Sequence, residues 1–305
     1  MALALPPQVK VLVRDWLSAN NVLLHEGPDA VLIDTGYVRH APLTLALLRS
    51  DAMLGASPLG RIVNTHCHSD HMGGNATIAR AYRCPIAIPE GEVPLIRTWD
   101  TTALLLDYAD QSADRFDVDE TIHAGSAYPW GGLEWEAIAA PGHDMGALCF
   151  FNREHGLLIS GDALWRNGFG FVMPHEIAPQ ALPATRATLD TLARLPIRIV
   201  IPGHGDPFDD VDDALRRAYA RLEVHEGDPV RAARHALKVV LMFKLLDCRG
   251  LPLDAMPAYV ERVGLYRDFN ARFLRMTPHA LADALVGDLV RAGAARRENG
   301  RIVPA

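Results

Sequence analysis

The sequence of 305 residues predicts an α+β protein with a larger mixed domain followed by a smaller helical one. Short β-branched segments recur over the first part of the chain, and each ends at glycine, proline or a polar residue. Helical patterns separate several of these segments, and beyond about residue 209 the pattern is helical almost throughout. A chain of this length accommodates one large and one small domain. We therefore predict a first domain over residues 1–208 and a second over residues 209–305.

The first domain is expected to open with a meander of three strands, in which Gly27-Pro28-Asp29 forms the turn before the third strand. Alternation and β-branched runs predict strands over residues 9–13, 21–24, 30–34, 62–63, 86–88, 134–138, 147–151, 156–160 and 197–201. Apolar periodicity predicts helices over residues 42–49, 75–83 and 92–117. The strands therefore alternate with helices in the first half and form a hairpin in the second.

A cluster of imidazoles and one carboxylate follows the short strand Ile62-Val63. His66, His68, Asp70 and His71 fall within six residues, just before Gly73-Gly74 and a predicted helix. A loop between a buried strand and a helix is where α/β proteins place their chemistry. Imidazole and carboxylate together suit a divalent ion such as Zn²⁺ or Fe²⁺. A polar loop with scattered histidines is the alternative, and it is disfavoured because so many uncompensated imidazoles are costly to order.

Three further polar residues come directly after predicted strands, each beside glycine. These are His143 in Pro141-Gly142-His143, Asp162 in Gly161-Asp162 and His204 in Pro202-Gly203-His204. A single histidine or aspartate in such a place is more often a turn or capping residue. A pair of metal ions, however, needs more ligands than the first cluster supplies, and these three are the natural donors.

Composition limits the classes of function. The formal net charge of −7 gives no general attraction to nucleic acid or to an anionic membrane. The N-terminus lacks a basic segment and its apolar run is broken at once by Pro6, so we expect neither a signal peptide nor a membrane partner, and the cytoplasm as the location. The cysteines are widely spaced, which indicates neither a disulfide framework nor a thiolate zinc site. They are Cys67, Cys84, Cys149 and Cys248.

The motifs, in this order, resemble those of the metallo-β-lactamase superfamily, and within it the glyoxalase II type of binuclear hydrolase. The resemblance covers about residues 8–210 and implies a four-layered αββα sandwich with two metal ions at one edge of its sheets. It implies seven metal ligands, of which three hold the first ion, three hold the second and one bridges both: His66, His68 and His143; Asp70, His71 and His204; and Asp162. Relatives with a redox-active di-iron centre usually carry glutamate at the position of His68, so histidine there favours a hydrolase.

The chemistry of such a site needs no serine or cysteine nucleophile, and the sequence has no G-x-S-x-G motif. Two divalent ions about 3.5–4 Å apart share a hydroxide that attacks the substrate. We expect Zn²⁺, with Fe or Mn as alternatives, and Asp70 as a catalytic proton acceptor. The predicted function is hydrolysis of a thioester or related acyl ester. A lactonase and an endoribonuclease or phosphodiesterase are the alternatives for the same metal site.

The segment after Asp162 departs from the relatives. Phe171 stands where glyoxalase II carries a lysine that helps to bind glutathione, and Trp165 stands where acyl-homoserine lactonases carry a tyrosine. With Phe169 and Met173 these residues suggest an apolar wall for an acyl chain or aromatic group. A packed loop is the alternative interpretation of the same four residues.

The last 97 residues are predicted to form helices over residues 212–224, 230–246, 253–263, 270–274 and 278–292, followed by a small hairpin. This order resembles a winged-helix module. The segment carries 16 Lys and Arg against 14 Asp and Glu, which leaves −9 on residues 1–208. We expect it to serve as a lid, a pocket wall or a homodimer surface. RNA binding is the alternative, through four arginines: Arg291, Arg296, Arg297 and Arg301.

Overall fold

The computed structural model describes residues 3–26 and 30–305, so the expected turn at Gly27-Pro28-Asp29 lies outside the described residues. The chain divides into two compact units, Met1–Asp100 with Ser112–Glu223, and Thr101–Gln111 with Val224–Ala305. This division differs from the expected boundary at residue 208. The helix after residue 210 packs its apolar side on the first unit, where Ala214, Ala218 and Leu222 are fully buried. Helical periodicity alone does not tell which of two cores a helix covers.

The described residues of the first unit contain eleven strands, which form two sheets. They are β1 (Val9–Leu12), β2 (Asn21–Leu24), β3 (Ala30–Ile33), β4 (Leu59–Val63), β5 (Ile86–Pro89), β6 (Glu120–Ile122), β7 (Ala127–Trp130), β8 (Leu133–Ala139), β9 (Leu148–Asn152), β10 (Leu157–Gly161) and β11 (Ile199–Pro202). The first sheet has the order β1-β2-β3-β4-β5-β6, and β3 to β6 run parallel. The second has the order β11-β10-β9-β8-β7, and only its β10–β11 pair is parallel. All nine predicted strands are confirmed, and β6 and β7 were not predicted.

The helices of both units follow in chain order. They are α1 (Ala41–Leu48), α2 (Ser69–Met72), α3 (Asn75–Tyr82), α4 (Val93–Thr98), α5 (Leu106–Ala109), α6 (Ala181–Leu192), α7 (Val211–Gly227), α8 (Pro229–Cys248), α9 (Met256–Arg262), α10 (Gly264–Phe269) and α11 (Pro278–Arg291). Of these, α2, α6 and α10 were not predicted from the sequence.

The two sheets of the first unit pack face to face over one apolar core. Val31 and Val63 from the first sheet lie in the same buried cluster as Trp135, Phe150 and Ile159 from the second. Helix α3 packs on β4 of the first sheet, and α6 and α7 cover the outer face of the second sheet. The layers are therefore helix, sheet, sheet and helix, as the resemblance implied.

The predicted helix over residues 92–117 is wrong as a continuous element. Only α4 and α5 form, and the chain between and after them is irregular. Trp99, Leu105 and Asp110 have left-handed backbone angles, with φ of 54°, 60° and 54°. A left-handed residue ends an α-helix because it turns the next carbonyl out of the hydrogen-bond ladder. Apolar spacing persists through these breaks, which is why periodicity did not reveal them.

The second unit contains α5 and α8 to α11, with a three-stranded sheet in the order β12 (Leu251–Pro252), β14 (Arg301–Pro304), β13 (Ala295–Glu298). The predicted terminal hairpin is confirmed as the antiparallel β13–β14 pair. Asp228 caps α8 and Thr277 caps α11, since each side chain accepts a hydrogen bond from a backbone amide three residues later. Among the described residues, no helix is both long and apolar enough to cross a bilayer.

Candidate metal centre

The seven predicted ligands lie on four loops that leave the carboxyl ends of strands. The loop after β4 carries the His66–His71 cluster, and the loops after β8, β10 and β11 carry His143, Asp162 and His204. Because β3 to β6 and β10 with β11 are parallel within their sheets, these ends collect at one edge of the sandwich. The structure brings all seven together in two groups, and within each group the candidate ligand atoms lie within 4.8 Å of one another: His66, His68 and His143; and Asp70, His71, Asp162 and His204.

Three imidazoles form the first group and face a common point. His68 Nδ1 lies 2.8 Å from His143 Nε2. The ring of His66 stands nearly perpendicular to both, with centroid distances of 4.7 Å to His68 and 5.1 Å to His143. His66 Nε2 is buried and has no hydrogen-bond partner among the described residues. A buried polar nitrogen without a partner is costly, and a metal ion at the common point would satisfy it.

The orientation of these three rings is fixed from outside. The outer nitrogen of each faces a neighbouring oxygen: Thr65 Oγ1 at 3.1 Å from His66 Nδ1, the Phe171 carbonyl oxygen beside His143 Nδ1, and, beyond hydrogen-bond distance, Asp144 Oδ2 at 3.6 Å from His68 Nε2. Outer contacts of this kind set the tautomer and direction of a metal-binding histidine. The inner nitrogens are therefore Nε2 of His66 and His143 and Nδ1 of His68.

The second group contains two carboxylates and two imidazoles, and Asp162 connects it with the first. Its Oδ1 lies 3.3 Å from His71 Nε2, while its Oδ2 lies 3.3 Å from His143 Nε2 in the first group. Asp70 Oδ2 lies 2.9 Å from His204 Nε2. One carboxylate that presents a different oxygen to each group is the arrangement expected of a ligand shared by two ions.

A buried aspartate supports the second group without belonging to it. Asp34 Oδ2 lies 2.8 Å from His71 Nδ1, which directs His71 Nε2 toward the other ligands. Its Oδ1 accepts a hydrogen bond from the Thr65 backbone amide at 2.9 Å, and its Oδ2 accepts one from the Thr65 hydroxyl at 2.8 Å. Asp34 therefore connects the end of β3 to the loop that begins the ligand cluster.

Two glycines leave the space that the ligand side chains occupy. A Cβ atom at Gly203 would collide with Asp162 Oδ1 and would lie 3.0 Å from His71 Cε1. At Gly170 a Cβ atom would lie 2.7 Å from His143 Nδ1 and 2.9 Å from Asp162 Cβ. Real side-chain atoms do not approach so closely, so both positions need glycine for the ligands to hold these places.

Burial and mutual repulsion keep His66 and His68 of the first group neutral. Burial lowers the pKa of His66 well below 6.5, and the neighbouring His71, His68 and His143 lower it further. Burial also lowers the pKa of His68 to about 4, with His143 as the second cause. The neutral imidazole is the form that binds a metal ion, so near pH 7 these rings need not lose a proton first.

The carboxylates of the second group are held in the charged form. Burial alone would raise the pKa of Asp162, but the charges of His71 and His204 hold that pKa well below its usual value. The pKa of Asp70 is lowered in the same way by His71 and by a hydrogen bond from His204, against the effect of burial. Burial would lower the pKa of His71, but Asp34, Asp162 and Asp70 raise it well above 6.5. The group thus collects negative charge that a divalent cation would neutralise.

The donor set therefore fits two divalent ions. Five imidazoles and two carboxylates converge, the outer nitrogens of His66, His71 and His143 are held by neighbouring oxygens, and the glycines leave room for the ligands. Nitrogen and carboxylate oxygen ligands in this proportion are typical of Zn²⁺ and of non-haem iron.

The expected apolar wall after Asp162 is only partly correct. Phe169 is 1% exposed and belongs to the core between the second sheet and α6 and α7, so it is a packing residue. Phe171 and Met173 are half-buried, and Met173 packs against the same core. Trp165 does lie at the site, where its Nε1 donates a hydrogen bond to Asp162 Oδ1 at 3.2 Å.

Sequence reasoning did not identify three residues that contact the ligands. Asp34 was noted only as the end of a strand, although its place before Thr35-Gly36 at a strand end was an available signal. Asp144 adjoins His143 in sequence but contacts His68. Trp16 lies 188 positions before His204 in the numbering and stacks on it with a centroid distance of 5.2 Å. No local pattern indicates a contact between such distant positions.

The comparisons with known proteins agree with this site. A sequence model of the metallo-beta-lactamase superfamily matches residues 14–204, a range that contains all seven ligand candidates. The chain belongs to the metallo-beta-lactamase superfamily. The αββα sandwich that the resemblance implied is thus that of the family, and both groups of candidate metal ligands lie within the matched range.

The curated relatives are distant. The chain is 33% identical over 181 residues to a hydroxyacylglutathione hydrolase of Polaromonas sp., which covers 58% of this chain and 56% of that protein. It is 26% identical over 205 residues to the lactamase-like protein nscB of Aspergillus fumigatus, which covers 67% of this chain and 53% of that protein. The chain spans about half the length of the curated relatives it matches.

Solved structures share the fold. The metallo-beta-lactamase family protein TTHA1429 from Thermus thermophilus superimposes with a TM-score of 0.55 at 20% identity, over 99% of this chain and all of that one. The protein TTHA1623, solved in a di-iron-bound form, superimposes with a TM-score of 0.53 at 27% identity, over 70% of this chain and 98% of that one. The superposition with TTHA1429, which covers 99% of this chain, confirms the fold.

Proposed function

We propose that this metallo-hydrolase cleaves a thioester or related acyl ester of a small molecule, with Zn²⁺ as its native ion. The observation that carries the hydrolase assignment is the carboxylate of Asp162, which offers one oxygen to each group of histidines. The di-iron form of TTHA1623 makes iron the second candidate for the ion.

Two divalent ions at this centre would lower the pKa of a shared water toward about 7 and polarise the carbonyl of the substrate. The residues of the chain then have separate tasks. Asp70 is buried beside His204 and accepts the proton that the attacking water releases. Trp165 holds Asp162 through its indole N–H. An Asp70→Asn protein that binds two ions and retains full turnover would contradict the role of Asp70.

An acyl substrate fits the surroundings of the centre better than a nucleic acid. Residues 1–208 carry a net charge of −9, which repels a polyanion. Large apolar side chains are exposed on two of the loops beside the ligands, with Trp16 at 53% and Met145 at 49% exposure. Such side chains suit an apolar acyl group.

Most of the arginines that carry the RNA alternative already have protein partners. Arg291 pairs with Asp288, Arg296 pairs with Glu298, and Arg301 donates a hydrogen bond to the Gly250 carbonyl oxygen. A dedicated nucleic-acid surface offers its cations to phosphate. These contacts support the small-molecule substrate.

Glutathione is not the proposed thiol, although relatives of this chain are named hydroxyacylglutathione hydrolases. Phe171 occupies the position at which the resemblance places a glutathione-binding lysine, and its backbone carbonyl is engaged by His143. A phenyl ring gives the glutathione carboxylates no counter-charge. We therefore place the recognition of the substrate on its acyl part.

Release of thiol from a panel of acyl-coenzyme A and acyl-glutathione thioesters tests the proposal. Protein loaded with Zn²⁺ should turn over several of the acyl-coenzyme A substrates, and a chelator should abolish that turnover. Asp162→Ala is the matched inactive control, because it removes the shared ligand. Protein that holds two ions but hydrolyses neither a thioester nor an oxygen ester would overturn the substrate assignment.

A further inference from the structure

An exposed tryptophan stands directly on a ligand of the metal centre. Trp16 lies in the loop between β1 and β2, and its ring stacks on the His204 imidazole with a centroid distance of 5.2 Å and an interplanar angle of 4°. Trp165 meets both rings edge-on, at 5.4 Å from Trp16 and 5.3 Å from His204, each at 73°. The two indoles and the imidazole thus form one aromatic cluster at the rim of the second group.

The loop that carries Trp16 is fixed to the ligand loops. The Ala19 amide donates a hydrogen bond to the Asp70 carbonyl oxygen at 3.0 Å, and the Asn20 amide donates one to the Gly203 carbonyl oxygen at 2.6 Å. The side-chain amide of Asn20 also donates to the Pro202 carbonyl oxygen at 2.9 Å. The position of Trp16 relative to the centre is therefore determined by the same backbone that positions Asp70 and His204.

Packing of the fold does not account for Trp16. Its neighbour Leu17 is 2% exposed and fills the core, whereas Trp16 is 53% exposed. A large aromatic ring that contacts His204 and Trp165 and leaves about half of its surface in water contributes little to folding. An exposed aromatic face within reach of a reaction centre is a feature of ligand-binding sites.

We propose that Trp16 and Trp165 bind a planar aromatic acyl group and so determine the specificity of the enzyme. The inference rests on the proposed ester or thioester hydrolysis and adds the class of acyl group to it. Trp16 offers a flat, exposed π-face, and Trp165 stands at an angle beside it, which together suit stacked and edge-on contacts with one aromatic ring system. An acyl ring on this surface would leave its carbonyl toward the ligand groups.

A saturated acyl chain and the base of a nucleotide are the two alternatives to an aromatic acyl group on these rings, since both have apolar surface. A saturated chain gains from burial but not from the directional contacts of two aromatic rings. The base of a nucleotide would stack equally well, but the nucleotide brings a phosphate toward residues 1–208, which carry a net charge of −9, and exposed Asp15 adjoins Trp16. The aromatic acyl group is therefore favoured over both.

The ratio of kcat/KM for 2-naphthoyl and octanoyl thioesters of N-acetylcysteamine tests the inference. The fraction of protein loaded with metal cancels in this ratio, so a partial loss of metal in a variant does not affect it. Trp16→Ala should lower the ratio roughly three- to tenfold through KM, and Trp16→Phe should retain part of it. Leu43→Ala is the matched control, because Leu43 is 52% exposed and lies on α1, which carries no ligand candidate. An unchanged ratio in Trp16→Ala would overturn the inference and leave the hydrolase proposal intact.

Binding of a non-hydrolysable 2-naphthyl ketone analogue, measured by calorimetry, separates the two proposals. If wild-type protein hydrolyses no ester or thioester, the proposed function fails, and the affinity of the ketone still tests the aromatic surface. Affinity that falls roughly three- to tenfold in Trp16→Ala supports the inference. Equal affinity in wild type and variant, or tighter binding of adenosine monophosphate than of the ketone, overturns it.

Discussion

Asp34 supports the candidate metal centre through one contact with His71 and two hydrogen bonds from Thr65, on the loop that carries the ligand candidates. It touches His71 at 2.8 Å, is 2% exposed, and has a left-handed φ of 57°. Such a conformation costs about 1 kcal/mol or more for a residue other than glycine. We infer that its hydrogen bonds to Thr65 and His71 offset this cost and hold the loop after β4 in the conformation that presents the cluster.

Replacement of Asp34 by alanine should weaken metal binding without removing a ligand. Loss of a group that orients a metal-binding histidine typically lowers the affinity about 10- to 100-fold. Competition with a chelating dye measures this affinity directly. Asp15→Ala is the control, since the Asp15 side chain is 69% exposed. Equal affinities of Asp34→Ala and wild type would contradict the role of Asp34.

Glu92, whose buried carboxyl interacts with that of Asp144, makes stability depend on pH. Burial raises the pKa of Glu92 from 4.5 to about 9, and Asp144 raises it further. Between these values the folded protein keeps a proton that the unfolded chain has lost, so stability falls as the pH rises. The slope from one such group is at most about 1.4 kcal/mol per pH unit.

Glu92→Gln should remove that loss, because glutamine stays neutral. Urea unfolding at pH 7 and pH 9 should show a smaller decrease in the free energy of unfolding for Glu92→Gln than for wild type. Glu90→Gln is the matched control, since its side chain is 71% exposed. Parallel decreases in wild type and Glu92→Gln would show that Glu92 is already ionised at pH 7.

The structure brings together the seven candidate ligands that local sequence order and the family resemblance identified. They lie on loops that follow strands, and the fold places the carboxyl ends of these strands at one edge of the sandwich. The residues that support these candidate ligands were harder to predict from the sequence. The contact of Trp16 with His204 depends on the packing of one sheet against the other. The contact of Asp144 with His68 depends on where two loops meet. Alternation and periodicity describe a segment, whereas these contacts are made between segments.

At the scale of elements, strands were predicted better than helices. Alternation is present in β8, where buried residues alternate with exposed or half-buried ones from Leu133 to Ile138. The interruption between α4 and α5 was not predicted, because Trp99 after α4 and Leu105 before α5 carry no feature that favours the left-handed conformation. Helix α6 was missed although it buries six residues, since its polar face obscures the apolar spacing.

The N-terminus of α8 is capped by the side chain of Asp228. Asp228 Oδ1 accepts a hydrogen bond from the Arg231 amide at 2.9 Å and so satisfies one of the first amides of the helix. Asp228→Ala should lower the free energy of unfolding of the second unit by about 1 kcal/mol. Urea unfolding followed by circular dichroism measures the change, with exposed Asp254→Ala as control. An unchanged midpoint in Asp228→Ala would contradict the capping role.

At the scale of the whole molecule, the candidate metal ligands and the net charge are distributed unequally along the chain. All seven ligand candidates belong to the first unit, and residues 1–208 carry −9 while residues 209–305 carry +2. The second unit has its own core, in which α8 and α11 bury residues such as Leu241 and Leu285. We propose that it acts as a lid, a pocket wall or a dimer surface, since its arginines are largely paired within it.

The dependence of activity on bound metal tests the central claim most directly. Protein freed of metal by chelation is titrated with Zn²⁺, and both the ions bound per chain and the rate of thioester hydrolysis are recorded at each step. A binuclear hydrolase should reach its full rate at two ions per chain, because Asp162 needs an ion on each side. A rate that is already maximal at one ion, or a chain that binds fewer than two ions, would contradict the account.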